Sequence, residues 1–357
     1  MRIGLVIYGS LDTLSGGYLY DRKVVAYLRA CGDDVQIYSL PWRNYGRHLL
    51  DNASAAFARR LRDAPVDVWL QDELNHPSLL RANAGLRASV VSIVHHLRVS
   101  ETHPAPLRGV YRSVERAYLR SCDAFVFNSG ATRESVRELI GQLPPHVVAY
   151  PAGDHLTIPP VVRDRSADEP LRLLAVGNLI ERKGLHTTLA ALARVQGNWT
   201  LDVVGRDDLD PEYVVRCRRI AVAGNLGARV RWLGRLDDRQ LVQAYAASDA
   251  LVVPSQYEGF GIVYLEALAA GLPVIASTAG AAGEIVHDDV EGYLVPPEDP
   301  AATAAAAWAG GALALCRPSA LGGQCGNDSR PADVDGEGRR QWAMNHDFAR
   351  CYVNCVE

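Results

Sequence analysis

The segment SQYEGFGIVYLEALAAG, residues 255 to 271, places Glu258 and Glu266 eight positions apart around a phenylalanine flanked by glycines. A pair of carboxylates is the catalytic equipment of glycoside hydrolysis. The local pattern argues against that pairing, because an apolar strand precedes the segment and IVYLEALAA predicts a helix that ends at Gly271. Glu258 is therefore expected in a loop and Glu266 about one turn into the helix.

The start of this predicted helix suits an anion. The backbone N–H groups of Gly261 and Ile262 have no helical partner, and glycines let a phosphate approach the backbone closely. Two carboxylates beside a phosphate are unfavourable because like charges repel, so we expect each of them to bind a different group of the ligand or of the protein. We expect Glu266 to accept hydrogen bonds from a ribose diol, and Glu258 to face a reacting sugar or to support the phosphate loop. The alternative is a helix-dipole acid at Glu258 and a solvated Glu266.

A second loop, GNLIERKG at residues 177 to 184, follows a strand pattern and opens another helix. It lies at the same predicted sheet edge as the Glu258 loop, since parallel strands end at one edge. Arg182 and Lys183 supply the positive charge that stabilises a diphosphate leaving group. An isolated Arg-Lys pair is more often a solvated turn, but its coincidence with the Glu258 loop favours phosphate.

Two sets of alternating strand and helix patterns must position these loops, which is typical of βαβ units. At 357 residues and 48% hydrophobic, the chain is long enough for two domains. The predicted strands are at residues 3–8, 35–38, 66–70, 90–94 and 124–127, then at 171–176, 200–204, 230–233, 250–253, 274–276 and 293–295. A proline-rich linker is expected at 154–170. This predicts an α/β protein with two Rossmann-like domains whose parallel sheets face each other across a cleft.

We place the N-terminal domain at residues 1–162 and the C-terminal domain at 163–310. Residues 311–357 form an atypical tail, with a helix expected at 341–356 that returns to the N-terminal domain. Four cysteines in the tail, at 316, 325, 351 and 355, have poor spacings for zinc. We therefore predict no metal.

The C-terminal half resembles the retaining glycosyltransferases of family 4, which have the two-domain GT-B fold. The family pattern of glutamate, seven residues and glutamate is met by Glu258 and Glu266, and its lysine-glycine pair by Lys183 and Gly184. Its valine-proline segment is met by GYLVPPEDP, residues 292 to 300. The resemblance covers residues 1 to about 305.

The resemblance implies a UDP- or GDP-linked sugar in the C-terminal domain, a hydroxyl acceptor in the N-terminal domain, and transfer of a hexosyl unit with retained anomeric configuration. It implies neither metal nor cofactor, because enzymes of the GT-B fold typically need no metal. Glu266 would bind the ribose, and Arg235 and Leu236 would flank the base. The other donor contacts would be Asn178, Arg182, Lys183, Glu258, Gly259, Phe260, Gly261 and Ile262, with His95, Lys183 and Glu258 as catalytic residues.

One position departs from the family. Many members have arginine directly after the glycine of the first strand of this domain, where this chain has the uncharged Asn178. Arg182 is the candidate to compensate for the missing charge. If it points away, phosphate affinity and rate should suffer.

In the N-terminal half, Gly16 and Gly17 lie between the first strand and a helix, as the donor-facing glycine loop of similar enzymes does. The segment is not GxGxxG, so a dinucleotide site is not indicated; a turn needed only for chain reversal is the alternative. His95 and His96 end the strand SVVSIVHH. Similar enzymes have a histidine there, near the donor sugar, and we assign His95 to it with His96 as runner-up. A structural histidine is the competing interpretation.

The segment DELNHPS, residues 72 to 78, also follows a strand pattern. Its Asp72, Glu73 and His76, together with His96, are our candidates for acceptor recognition. An ordinary capped turn explains the same residues equally well.

Arg108, Arg112, Arg116 and Arg120 recur every fourth residue on a predicted helix. This stripe can rest on an anionic membrane, as in enzymes with lipid-linked acceptors, or form a solvated face. Nucleic acid fits less well, since the overall pI is about 6.2. No run approaches the ~18 residues of a membrane span, and no signal-peptide cleavage site is found. We predict a cytoplasmic protein, with peripheral contact at the inner membrane face if the stripe binds lipid.

The function that these features favour is retaining glycosyl transfer in polysaccharide or glycoconjugate biosynthesis. The acceptor would be a glycan, a lipid-linked sugar or a small molecule. Two alternatives remain open. Asn178 and the unusual tail are compatible with a nucleotide-sugar-binding partner subunit that has lost transfer, and the fold also serves sugar-nucleotide epimerases.

Overall fold

A computed structural model describes residues 1–101, 103–159 and 169–307. The chain divides into two compact units, the first formed by Met1–Pro151 and the second beginning at Ala152. Each unit contains one six-stranded sheet in which all neighbouring strands are parallel. The prediction of two α/β units built on parallel sheets is confirmed. The predicted boundary after residue 162 and the predicted tail helix lie outside the described residues.

The sheet of the first unit has the strand order β2-β1-β3-β4-β5-β6. Its strands are β1 (Arg2–Tyr8), β2 (Asp34–Leu40), β3 (Val68–Asp72), β4 (Ser89–Val94), β5 (Ala124–Phe127) and β6 (His146–Val148). The helices are α1 (Gly16–Ala30), α2 (Tyr45–Leu50), α3 (Ala55–Arg62), α4 (His76–Asn83), α5 (Ala105–Leu119) and α6 (Gly130–Ile140).

Helices cover both faces of this sheet, so its strands are apolar on both sides. Along β1, Leu5 and Ile7 pack into one core cluster, whereas Val6 and Tyr8 pack into the other. Among the strands whose bounds are predicted above, the largest difference is at β3, which extends through two buried polar residues. Gln71 is tolerated there because its amide exchanges hydrogen bonds of 2.8 and 3.1 Å with the amide of Asn83.

The sheet of the second unit has the order β12-β11-β10-β7-β8-β9. Its strands are β7 (Leu171–Val176), β8 (Trp199–Val204), β9 (Val230–Gly234), β10 (Ala250–Val253), β11 (Val274–Ser277) and β12 (Gly292–Val295). The helices are α7 (Leu185–Leu192), α8 (Pro211–Ala223), α9 (Asp238–Ala247) and α10 (Ile262–Ala269), and a 3-10 turn spans Glu181–Lys183. No helix in the described ranges is both long and apolar enough to cross a membrane.

Two glycines fix the loops at the carboxyl edge of this sheet. Gly184 has a φ of +70°, and a Cβ built on it would lie 2.2 Å from the carbonyl oxygen of Pro254. Gly261 has a φ of +101°, and a Cβ there would lie 2.4 Å from the ring of Tyr264. Both positions need glycine because the backbone conformation is left-handed and the neighbouring space is filled.

We expect Gly184→Ala to lower the free energy of unfolding of the second unit by about 1–3 kcal/mol, because alanine is strained at positive φ and its methyl group meets the backbone. Circular dichroism melting would show this as a lower Tm. Gly227→Ala is the matched control, since a Cβ at this exposed glycine meets nothing within 4 Å. Equal melting temperatures for the two variants would contradict the prediction.

Candidate functional site

The pairing of β7 with β10 brings the two charged loops of the second unit together. These strands are parallel neighbours, with Leu173 opposite Ala250 and Leu174 opposite Leu251. Their carboxyl ends therefore open at the same edge of the sheet. The GNLIERKG loop follows β7, and the loop that carries Glu258 follows β10.

An ion pair joins these two loops. The Nζ atom of Lys183 donates to Oε2 of Glu258 at 2.6 Å, and the Ser255 hydroxyl donates to the same oxygen at 3.1 Å. Glu258 is buried, with 7% of its surface exposed, whereas 18% of the Lys183 side chain is exposed. The lysine side chain therefore stays partly exposed, while the carboxylate that it pairs with is covered.

Arg182 ties the same loops together and points toward Glu258. Its Nη1 atom donates to the carbonyl oxygen of Tyr257 at 2.9 Å and lies 3.9 Å from Oε1 of Glu258. The Gln256 N–H in turn donates to the carbonyl oxygen of Arg182 at 2.8 Å. Two cationic groups thus lie beside one buried carboxylate, which leaves an excess of positive charge at this edge.

The electrostatics of this cluster keep the carboxylate ionised. Burial alone would raise the pKa of Glu258, but the charges of Lys183 and Arg182 and the hydrogen bonds from Lys183 and Ser255 outweigh it, so its pKa lies below the ordinary value. Burial, and then the neighbouring Arg182, hold the pKa of Lys183 below its ordinary value, although Glu258 opposes the shift. A negatively charged ligand could therefore pair with Lys183 or Arg182 in place of Glu258.

Glu266 has a separate set of partners. It lies in the second turn of α10 and is 5% exposed, so the solvated alternative does not describe it. Its Oε1 accepts a hydrogen bond from Nε2 of His155 at 2.8 Å, and its Oε2 accepts one from the hydroxyl of Tyr245 at 2.5 Å. Sequence reasoning missed both partners, because neither belongs to a recognisable motif and both lie far from Glu266 along the chain.

The other residues predicted to contact the donor lie in the loops that follow β7, β9 and β10 and at the start of α10. Gly259, Phe260 and Gly261 are buried and lead into α10, whose first residue is Ile262. Asn178 is half-buried two residues after the end of β7, in the turn that precedes Arg182. Arg235 is exposed and Leu236 half-buried after β9, the outer strand of the sheet. Their donor roles stay predictions.

In the first unit, His95 follows β4 and pairs with a carboxylate that sequence reasoning missed. Its Nε2 atom lies 3.1 Å from Oδ1 of Asp21, which is fully buried in α1. Tyr20 packs its ring edge-on against the imidazole with centroids 5.3 Å apart, and a Cβ at Gly17 would lie 3.2 Å from the ring. Gly16 and Gly17 thus begin a helix that packs against His95. Asp21 lies one turn after them, which is the only sequence signal that could have suggested it.

The charges around His95 favour its protonated form. Burial lowers the pKa of His95, but Asp21, with smaller contributions from Asp72 and Glu73, reverses this and raises it to about 9. Burial and the charge of Asp21 raise the pKa of Asp72 to about 7. This cluster therefore holds a cation between buried carboxyl groups.

The predicted acceptor residues are mostly buried. Asp72, Glu73 and His76 are 3%, 4% and 2% exposed, and only His96 is half-exposed, with its Nε2 3.0 Å from Oε1 of Glu101. The hydroxyl of Tyr45 lies 3.0 Å from Nε2 of His76. A direct contact of the three buried groups with an acceptor would need the surrounding loops to move, so the acceptor role stays a prediction.

A second buried cluster joins α4 to α5. Glu115 of α5 accepts hydrogen bonds from the backbone N–H groups of Arg98 and Val99 at 2.5 and 3.0 Å. Burial, and then the charge of Glu73, raises the pKa of Glu115 to about 8, and burial lowers the pKa of His76 to about 4. Glu73, His76 and Glu115 bring three ligand-type atoms within 4.8 Å of one another, as do Asp21, Asp72 and His95. The expectation that the protein uses no metal stays a prediction.

Comparisons with known proteins identify both halves of the chain. The family model described as Glycosyl transferases group 1 matches residues 162–307, and the model described as Glycosyltransferase Family 4 matches residues 16–153. The phosphatidyl-myo-inositol mannosyltransferase of Mycobacterium leprae is 30% identical over 337 residues, which are 85% of this chain and 86% of that protein. The glycogen synthase of Mycobacterium tuberculosis is 32% identical over 197 residues, so that 54% of this chain matches about half, 47%, of that protein.

Solved structures confirm the predicted GT-B fold. Sucrose-phosphate synthase from Thermosynechococcus elongatus has a TM-score of 0.77 at 24% identity, with 99% of both chains covered. The Anabaena protein Alr3699/HepE, solved with UDP-glucose, has a TM-score of 0.62 at 20% identity, with 91% of this chain and 98% of that chain covered.

We expect Glu73→Gln to stabilise the first unit at pH 8 by about 1–3 kcal/mol and to change little at pH 5. Burial, and then Asp72, raises the pKa of Glu73 from 4.5 to about 8, so the folded unit keeps a proton that the unfolded chain releases between these values. Stability is thus lost as pH rises through this window, whereas the neutral amide is insensitive to it. Melting curves at both pH values test this against Glu138→Gln, an exposed glutamate of α6. A gain that is the same at both pH values would refute the assignment.

Proposed function

The chain belongs to the glycosyltransferases that carry family 4 and group 1 domains, and from this premise we propose that it transfers a hexosyl unit from a nucleoside diphosphate sugar to a hydroxyl acceptor with retained anomeric configuration. The observation that carries the proposal is the cluster of Lys183, Arg182 and Glu258 beside the start of α10. A diphosphate needs cationic groups and backbone N–H donors, and this edge offers both.

Lys183 and Arg182 would stabilise the departing diphosphate. Its negative charge grows as the bond to the sugar breaks, so fixed cations near it lower the barrier more than they strengthen ground-state binding. The ionised Glu258 balances these cations while the site is empty. On donor binding it would be free to face the sugar, while its backbone stays fixed by the bridge to Gly280.

The reaction balances without a metal ion or a redox partner. The oxygen of the acceptor hydroxyl forms a bond to the anomeric carbon on the face from which the diphosphate leaves. The bond from that carbon to the phosphate oxygen breaks, and its electron pair goes to the diphosphate. The acceptor proton passes to a phosphate oxygen, so no residue of the chain has to act as the base. His95, in its protonated form, stays our candidate for a contact to the donor sugar.

The remaining donor contacts are assigned from the position of each residue in the second unit. Glu266 would accept hydrogen bonds from the ribose, and Arg235 and Leu236 would flank the base. HepE was solved with UDP-glucose, which supports a nucleoside diphosphate sugar as the donor class, with UDP and GDP both open. The name of the Mycobacterium leprae relative supports an acceptor that carries hydroxyl groups at a lipid head group.

The position of Arg182 favours transfer over the partner-subunit alternative that Asn178 suggested. Its guanidinium group points toward Glu258 rather than away from the loop. A second cation therefore lies close to Lys183. It can supply the positive charge that many family members have from an arginine at the position of Asn178. We infer that Arg182 compensates for Asn178.

We also propose peripheral contact with an anionic membrane through α5, at the inner face of the cytoplasmic membrane. The four arginines of the stripe, Arg108, Arg112, Arg116 and Arg120, are exposed. Leu107 and Val110 on the same helix are 48% and 47% exposed, and Glu115 points inward. Exposed apolar side chains among arginines are typical of helices that lie on a membrane surface.

Lys183→Ala should lower turnover by about 100- to 1,000-fold while the fold persists, because a cation at the leaving group is lost. Release of nucleoside diphosphate from a panel of UDP- and GDP-sugars measures this. The control is Lys23→Ala, which removes the other lysine of the chain from an exposed position in α1. Near-normal turnover of the Lys183 variant would contradict the assignment.

The same panel separates the alternatives. Calorimetric binding of a nucleotide sugar without transfer or donor hydrolysis would indicate a partner subunit. Conversion of the free nucleotide sugar into an isomer without any acceptor would indicate an epimerase.

Substitution of Arg108, Arg112 and Arg116 by glutamate should reduce binding to vesicles that contain anionic phospholipid by at least about 10-fold, since each basic residue near such a surface contributes about 1 kcal/mol. Co-sedimentation at low and high salt measures the effect. Vesicles of neutral phosphatidylcholine are the lipid control, and substitution of Arg59, Arg60 and Arg62, three exposed arginines of α3, by glutamate controls for net charge. Equal binding of the triple variant and wild type would rule out this surface.

A further inference from the structure

Both carboxylate oxygens of Glu266 are held by the protein itself. Nε2 of His155 lies 2.8 Å from Oε1, and the hydroxyl of Tyr245 donates to Oε2 at 2.5 Å. The terminal torsion of a glutamate is otherwise broad. Two hydrogen bonds from opposite partners remove that freedom, so the plane of this carboxylate is fixed before any ligand binds.

The two partners come from elements other than α10. Tyr245 belongs to α9 and is fully buried, and His155 precedes β7 in the chain with 15% of its side chain exposed. A carboxylate only accepts hydrogen bonds, so Nε2 of His155 carries the proton. Nδ1 of the same ring is buried without a hydrogen-bond partner among the described residues.

An ionised carboxylate has about four acceptor positions, two on each oxygen. His155 and Tyr245 each use one, on different oxygens, so each oxygen keeps one. Two acceptor positions side by side match the two hydroxyl donors of a vicinal diol. A carboxylate free to rotate would offer the same atoms but would lose conformational entropy on binding.

We propose that His155 and Tyr245 are positioning residues that fix Glu266 for both hydroxyls of a ribose and thereby make the site select ribonucleotides over 2′-deoxyribonucleotides. This inference rests on the proposed nucleoside diphosphate donor. It assigns a role to two residues that belong to none of the sequence motifs, and it concerns ligand choice rather than the chemical step.

The test is calorimetric binding of UDP, GDP and their 2′-deoxy analogues to the full chain. For the base that binds, the wild type should prefer the ribonucleotide by about 10- to 100-fold, the value expected for a hydrogen bond to a charged group. Tyr245→Phe removes one hydroxyl, and His155→Ala removes the other donor. In each variant we expect weaker ribonucleotide binding, little change for the 2′-deoxy analogue, and a preference that falls to about 3-fold or less.

Matched variants separate positioning from general destabilisation. Tyr213→Phe removes another buried hydroxyl of the same unit, one that accepts from the His186 N–H at 3.1 Å, and it should keep the wild-type preference. His155→Gln retains an N–H donor and should restore part of the preference lost in His155→Ala. Melting curves establish that each variant is folded.

A wild-type preference that persists in folded Tyr245→Phe and His155→Ala would overturn the positioning role and leave the donor site intact. The role would also be overturned if either variant lost the same factor of affinity for the ribonucleotide and for its 2′-deoxy analogue. If the wild type binds none of the four probes, the proposed donor site itself fails, and this inference fails with it.

Discussion

The pairing of β7 with β10 is the constraint on which the charged site depends. These strands lie about 75 residues apart in the chain, yet their parallel register opens both at one edge of the sheet. Gly184 then lets the turn after β7 pack against the carbonyl of Pro254 at the end of β10. Lys183 can reach Glu258 only because both the strand pairing and this close backbone contact are in place.

The ion pair at this edge is costly to bury and is therefore informative about function. Taking two charges out of water often costs more than their attraction returns, so a buried pair is weak evidence for stability. Here Glu258 is covered while Lys183 and Arg182 stay partly exposed. The arrangement keeps two cations oriented and partly covered beside one carboxylate, which is the charge pattern that the proposed diphosphate donor would need.

The first unit uses the same architecture with a different charge balance. Its carboxyl edge carries His95 against Asp21, with Asp72 nearby and Glu73, Glu115 and His76 in an adjoining buried cluster. Burial raises the pKa values of Asp72, Glu73 and Glu115, and a neighbouring carboxylate raises each of them further. Carboxyl groups of this cluster therefore stay protonated near neutral pH. The edge therefore holds one strong cation at His95 and mainly neutral groups behind it, which is compatible with binding a neutral, hydroxyl-rich molecule.

The sequence by itself determined the strand and helix order, the two parallel sheets, the GT-B fold, the loops that carry Lys183 and Glu258, and the helix that carries Glu266. These features are local, since alternating apolar patterns and glycine-bounded motifs are written in consecutive residues. The tertiary structure alone decided which side chains meet. Asp21 reaches His95 across 74 positions, and Glu266 meets His155 across 111 and Tyr245 across 21. It also decided that Glu266 is buried rather than solvated. Such contacts depend on how separate helices and loops pack at one sheet edge, and no spacing along the chain records that.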